Sequence, residues 1–165
     1  MPVRISTGVR VEAFIHTDPL VAWRAWTDGT ELPRWFPGLR AVARDASGEL
    51  AAGSKVRLDG TAAVELEVLE IEPPNTLTYR LPAAYGELPP HTGTLWVKPS
   101  LTGAEIDWII KLDSERGLLG LGGPKRAAES AMKRALRALK SLVESESYRR
   151  PEVGGGERRR AWDDV

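Results

Sequence analysis

Cysteine is absent from all 165 residues, which excludes disulfide frameworks, thiolate nucleophiles and cysteine-bound zinc or iron–sulfur centres. Histidine is nearly absent too: only His16 and His91 occur, in no HExxH spacing, so neither a metal nor a cofactor is expected. Charge of one sign is also missing. The 23 Lys plus Arg balance 23 Asp plus Glu to a net charge of +0, leaving no overall field to draw in nucleic acid, and no nucleic-acid partner is expected. Nothing approaches the roughly 18 to 20 consecutive apolar residues a bilayer-spanning helix demands, and residues 1–8 hold no apolar run suited to a secretory leader. A cytoplasmic protein without a membrane span is the expectation. No GxSxG or SxxK arrangement appears, so hydrolysis through a covalent serine intermediate has no support.

What is present suffices for a folded domain, since 42% hydrophobic residues in a chain of this length can close a core. Val9, Val11, Ala13 and Ile15 alternate with Arg10, Glu12, Phe14 and His16, which predicts a strand with one buried face. Asp18 then caps a helix that starts at Pro19 and ends at Asp28-Gly29, and a second short helix is predicted over 30–35, stopped by Pro37-Gly38. Turn signals at Asp59-Gly60, Pro73-Pro74-Asn75, Pro89-Pro90 and Thr102-Gly103 separate further strands. Among these, Leu77, Tyr79 and Leu81 alternate with Thr78 and Arg80, and Ile106, Trp108, Ile110 and Leu112 alternate with Glu105, Asp107 and Lys111.

Such one-sided strands predict an antiparallel sheet covered on a single face. Its cover is a long helix over about 123–148 that gathers Ala128, Met132, Ala135, Leu136, Leu139 and Val143 on one side and Arg126, Lys133, Arg137 and Lys140 on the other. The fold class is therefore α+β. One domain is expected over 1–148, followed by a disordered Arg/Gly-rich tail over 149–165.

The order strand, two short helices, about six strands, long C-terminal helix resembles the helix-grip fold of the START-like, or SRPBCC, superfamily, which includes polyketide cyclase/dehydrase-like proteins. The residues that carry the resemblance are Val11 to Ile15 with Asp18-Pro19 and Trp23; Trp26-Thr27-Asp28 followed by Leu32-Pro33-Arg34-Trp35-Phe36-Pro37; Glu70-Ile71-Glu72-Pro73-Pro74 into Leu77-Thr78-Tyr79; and the closing helix around Leu139. It implies a curved sheet of about seven strands wrapped on the long helix. Between them it implies an apolar cavity for a hydrophobic small molecule, such as a polyketide or a lipid.

His91 shares strand parity with Gly93, Leu95 and Val97, which turns it toward such a cavity; a surface position after Pro89-Pro90 is the alternative. With Tyr79 it is the candidate proton-transfer group. Trp35, Phe36, Tyr85 and Trp108 are candidate ligand contacts, as flat side chains that suit a pocket, and Met132 and Leu136 are candidates from the helix. Leu118 and Leu121, in the glycine-rich stretch before the helix, are candidates for an apolar gate, with a plain connector as the alternative. Trp23 and Trp26 are assigned to core packing.

Three functions stay open: a polyketide cyclase/dehydratase-like enzyme, a non-catalytic lipid or quinone carrier or sensor, and a protein-interaction module. The expected state is a monomer or a homodimer.

Overall fold

Alternating apolar residues build one sheet, and the computed structural model of the protein describes it over residues 7–44, 49–112 and 122–145. Strand β1 (Thr7–Ile15) buries Val9, Val11 and Ile15. Helix α1 (Pro19–Thr27) follows, and the Asp18 carboxylate accepts a hydrogen bond from the Leu20 backbone N–H at 2.8 Å, while Pro19 opens the first turn without a donor to satisfy. The second predicted helix shrinks to a single 3-10 turn, Leu32–Arg34. Pro37 disfavours helical backbone in the residue before it, which leaves no length for a second turn.

Strands β2 (Ala41–Arg44), β3 (Lys55–Asp59), β4 (Ala63–Glu72), β5 (Thr76–Leu81), β6 (His91–Ser100) and β7 (Gly103–Leu112) complete a seven-stranded sheet of order β1-β7-β6-β5-β4-β3-β2. Every pairing is antiparallel, and β1 returns to lie beside β7. A register shift between Val68 and Glu70 in β4 bends the sheet where it must curl. Helix α2 (Gly122–Glu144) buries Ala128, Met132, Ala135, Leu136, Leu139 and Val143, as its 3.6-residue pattern requires. Its basic stripe is partly neutralised by Lys133–Glu129 at 3.1 Å and Lys140–Glu144 at 2.9 Å. No helix among the described residues is long and apolar enough to cross a membrane. Residues 146–165, and with them the predicted helix end and tail, lie outside the described residues.

The cover on the sheet is uneven. Helix α2 packs on β1, and α1 on β6 and β7, so the larger core cluster forms over that half. A smaller cluster of Leu39, Val56, Leu58, Val64, Tyr79, Leu81 and Tyr85 gathers over the β2–β5 half.

One residue of the solvent-side pattern behaves otherwise. Asp107, read from the alternation as wet, is only 3% exposed. Arg10 from β1 covers it, donating from Nε and Nη2 to the two carboxylate oxygens at 2.9 and 2.7 Å, and Lys98 from β6 stands 3.5 Å away. The Arg10 hydrogen bonds hold the Asp107 carboxyl below the usual carboxylate range, outweighing burial, which pushes it up. The folded chain thus takes up this proton less readily than the unfolded chain. The resulting stability is complete above the ordinary aspartate range near about pH 4 and is lost as pH falls through the lower folded value. Urea midpoints of the wild type and Asp107→Asn, measured from pH 7 to pH 3, should therefore start apart and converge on acidification; parallel curves would contradict this.

Candidate functional site

Register places the candidate chemistry on the concave face. Tyr79 of β5 lies directly opposite Gly93 of β6, His91 opposite Leu81, and Trp108 of β7 opposite Leu95. Gly93 has no side chain, and a Cβ added there would overlap the Tyr79 ring at Cζ, Oη and Cε1. The phenol therefore crosses β6 through the space this glycine leaves, a close approach that only glycine permits. Its oxygen arrives between two partners: Trp108 Nε1–H donates to it at 3.0 Å, and His91 Nε2 lies 2.8 Å away. On the far side of the imidazole, Nδ1 lies 2.7 Å from the Pro89 carbonyl.

A carbonyl can only accept, so Nδ1 carries a hydrogen and donates it. With Nε2 unprotonated, the Tyr79 hydroxyl donates to His91 and turns a lone pair to the surroundings. With a hydrogen on Nε2 the bond reverses, and the Tyr79 O–H is freed to donate elsewhere. Burial pushes the Tyr79 phenol well above its ordinary value, against a smaller opposite pull from the Trp108 hydrogen bond, so this group serves as a proton-bearing donor rather than a base.

These three residues line one end of a cavity of about 90 Å³ whose remaining walls are mostly aliphatic, among them Leu39, Val56, Leu58, Leu66 and Leu81. Phe36 and Tyr85 also line it, with ring centroids 5.8 Å apart. Together with Leu88 they also line an outer cleft of about 310 Å³ that reaches Ala131, Arg134 and Ala135 of α2. The Tyr85 hydroxyl donates to the Pro37 carbonyl at 3.3 Å, and the Glu87–Arg134 ion pair fastens the turn beyond Tyr85 to α2.

The cavity thus joins Tyr79, His91, Trp108, Phe36 and Tyr85, and His91 is 0% exposed rather than at the surface. Three other candidates are elsewhere. Trp35 is packed in the core, its Nε1–H donating to the Ala25 carbonyl at 2.9 Å, which draws the indole toward α1. Met132 and Leu136 are fully packed where α2 meets the sheet, because α2 crowns the β1 half and leaves the hollow to the β2–β5 half. The expectation of a cavity between the long helix and the sheet is corrected accordingly: among the described residues, α2 reaches only the outer cleft. Leu118 and Leu121 lie outside the described residues.

Sequence reasoning missed Trp26 and Arg44, both on the cavity wall. The i to i+3 spacing from Trp23 points Trp26 to the core, and it does pack against the core cluster; the same ring also lines the cavity. Among the described residues no group of three or more His, Asp or Glu side chains gathers as a metal site would require.

Replacing Tyr79 by Phe removes one oxygen but strands the Trp108 N–H and the His91 Nε2, so a loss of about 2 to 4 kcal/mol is expected in chemical denaturation. Gly93→Ala should cost at least as much by displacing the same ring. A loss below about 0.5 kcal/mol for both would contradict the geometry.

A family profile for "Polyketide cyclase / dehydrase and lipid transport" matches residues 6–144. Among solved structures, the chain is similar to protein MLL2253 from Mesorhizobium loti, with 21% identity, a TM-score of 0.64, and coverage of 84% of this chain and 97% of that one. DynU16, a protein in the dynemicin biosynthetic locus, aligns at 18% identity and TM-score 0.66 over 84% of this chain and 47% of its own. The Aha1 dimer from Colwellia psychrerythraea aligns at 14% identity and TM-score 0.63, over 84% and 96%. At these identities the likeness speaks for the fold. No curated protein matches the sequence.

Proposed function

We infer the role of this protein from one premise: the chain belongs to the polyketide cyclase / dehydrase and lipid transport family. On that footing its function is to bind a hydrophobic small molecule, a polyketide, lipid or similar compound, in the cavity above Tyr79. The observation that carries the reading is an aliphatic hollow whose polar end is a single hydrogen-bonded chain, Trp108 to Tyr79 to His91. Apolar walls supply affinity without direction, and one placed polar group supplies orientation. The hollow of about 90 Å³ suits a small apolar body. A longer guest extends past Phe36, Tyr85 and Leu88 into the outer cleft.

The Tyr79–His91 bond favours a second, catalytic reading of the same site. A proton on His91 Nε2 turns the Tyr79 hydroxyl toward a guest's carbonyl oxygen, which polarises that carbonyl while the walls fold the chain and exclude water. This supplies the carbonyl activation that ring closure or dehydration of a polyketide-like chain uses. A carrier would use the same hydrogen bond only to hold its cargo.

Titrating the full chain with N-phenyl-1-naphthylamine, an uncharged dye that brightens in apolar surroundings, tests the binding reading. Saturable one-to-one binding is expected. Leu58→Trp, which fills the hollow, should weaken it about tenfold or more while unfolding stays cooperative. No saturable binding, or binding indifferent to the filled cavity, would overturn it.

A further inference from the structure

Two polar groups on the cavity wall have no role in the Trp108–Tyr79–His91 chain. Arg44 ends β2, the edge strand, directly opposite Val56. In β2 it alternates with Ala41 and Ala43 and shares the inward parity of Val42, and both Val42 and Arg44 line the cavity. It is the charged residue among the lining side chains, and it makes no hydrogen bond or ion pair among the described residues. The other group is Trp26 Nε1, the buried side-chain polar atom that has no hydrogen-bond partner among the described residues. Its neighbours differ in this respect: the indoles of Trp35 and Trp108, with centroids 4.7 and 5.1 Å from the Trp26 ring, both donate to oxygen.

The elements that carry these two groups adjoin. Gly29, just beyond the end of α1, lies against Val42, since a Cβ there would stand 3.4 Å from Val42 Cγ1. Gly29, Thr27 and Trp26 from the α1 side, and Val42 and Arg44 from the β2 side, all line the same cavity. Burying an unpaired indole N–H forfeits a hydrogen bond, and Arg44, set beside an aliphatic wall, has no counter-ion among the described residues. An occupant carrying an anionic oxygen group next to an apolar body answers both.

We propose that the cavity takes a hydrophobic organic acid, its ring-bearing body among the leucines and valines of β3 to β5 and its carboxylate against Arg44, with Trp26 Nε1–H donating to an oxygen of the same molecule. The proposal rests on the small-molecule reading above and narrows it to a charge class. Tyr79, hydrogen-bonded to the Trp108 indole that packs 5.1 Å from the Trp26 ring, then offers a second polar contact to an uncharged oxygen of the same compound.

An inward arginine on an edge strand also guards against strand-to-strand aggregation. That use affects solubility and leaves ligand preference untouched, which makes the two separable.

The experiment compares 2-naphthoic acid with its uncharged isostere 2-naphthamide, each displacing N-phenyl-1-naphthylamine from the full chain at pH 7 and low salt. The acid is expected to bind about tenfold more tightly than the amide, the worth of one charge-assisted contact. Arg44→Gln should abolish that preference by weakening the acid alone, and Arg44→Lys, which keeps the charge, should restore part of it. Trp26→Phe should weaken both compounds, because each offers a carbonyl-type oxygen. Equal affinity for acid and amide, or an acid preference that survives in Arg44→Gln, would overturn the charge assignment while leaving the cavity reading intact. Failure of the dye and both naphthyl compounds to bind would overturn both.

Discussion

A phenol can stand inside an aliphatic hollow only if its oxygen is met by partners, and in this protein everything near the cavity is arranged around meeting it. Gly93 leaves the space, Tyr79 crosses it, Trp108 donates from one side and His91 takes the other. The Pro89 carbonyl then fixes the imidazole by holding Nδ1–H. Without these contacts the interior would carry four stranded side-chain polar atoms, each costing about 1 to 3 kcal/mol. With them, the same atoms give a mostly apolar cavity a direction.

The second determinant is how the sheet is covered. Two helices share the β1, β7 and β6 side, and the rest of the sheet curls over itself past the irregularity in β4. Space is left where the sheet has no helix above it, closed by the turn at residues 32–34, Phe36 and Tyr85 rather than by the long helix. The partition made by Phe36, Tyr85 and Leu88 divides an inner apolar compartment from an outer, more polar cleft. Family membership and the apolar lining both support the proposed hydrophobic guest.

Much of the fold was legible because its signals are local. Asp18-Pro19 announces the start of α1, and the alternation through residues 104–112 announces β7, since a cap and a two-residue period need only neighbouring residues to be read. The parts that escaped depend on distant ones. Asp107 is dry because Arg10 and Lys98 reach over it from two other strands. Trp35 is drawn into the core by the Ala25 carbonyl, and Trp26 packs against the core while also lining the hollow. The strands β2 and β3 were marked only by the turns around them, because runs of 4 and 5 residues show too little alternation of their own. Gly93 did carry a signal: a glycine inside a strand marks a close approach, and the ring opposite it is Tyr79.

The central claim is that the space bounded by Trp26, Tyr79 and Trp108 receives an apolar guest. Indole N–H resonances report on it directly, because the five tryptophans among the described residues stand in distinct places: Trp26 and Trp108 on the cavity, Trp23 and Trp35 in the core, and Trp96 on the outer face beside Lys98. In a ¹⁵N–¹H spectrum of the full chain saturated with N-phenyl-1-naphthylamine, the account predicts that the Trp26 and Trp108 signals move while Trp23 and Trp96 stay. Shifts confined to Trp96, or none at all under saturating dye, would contradict it.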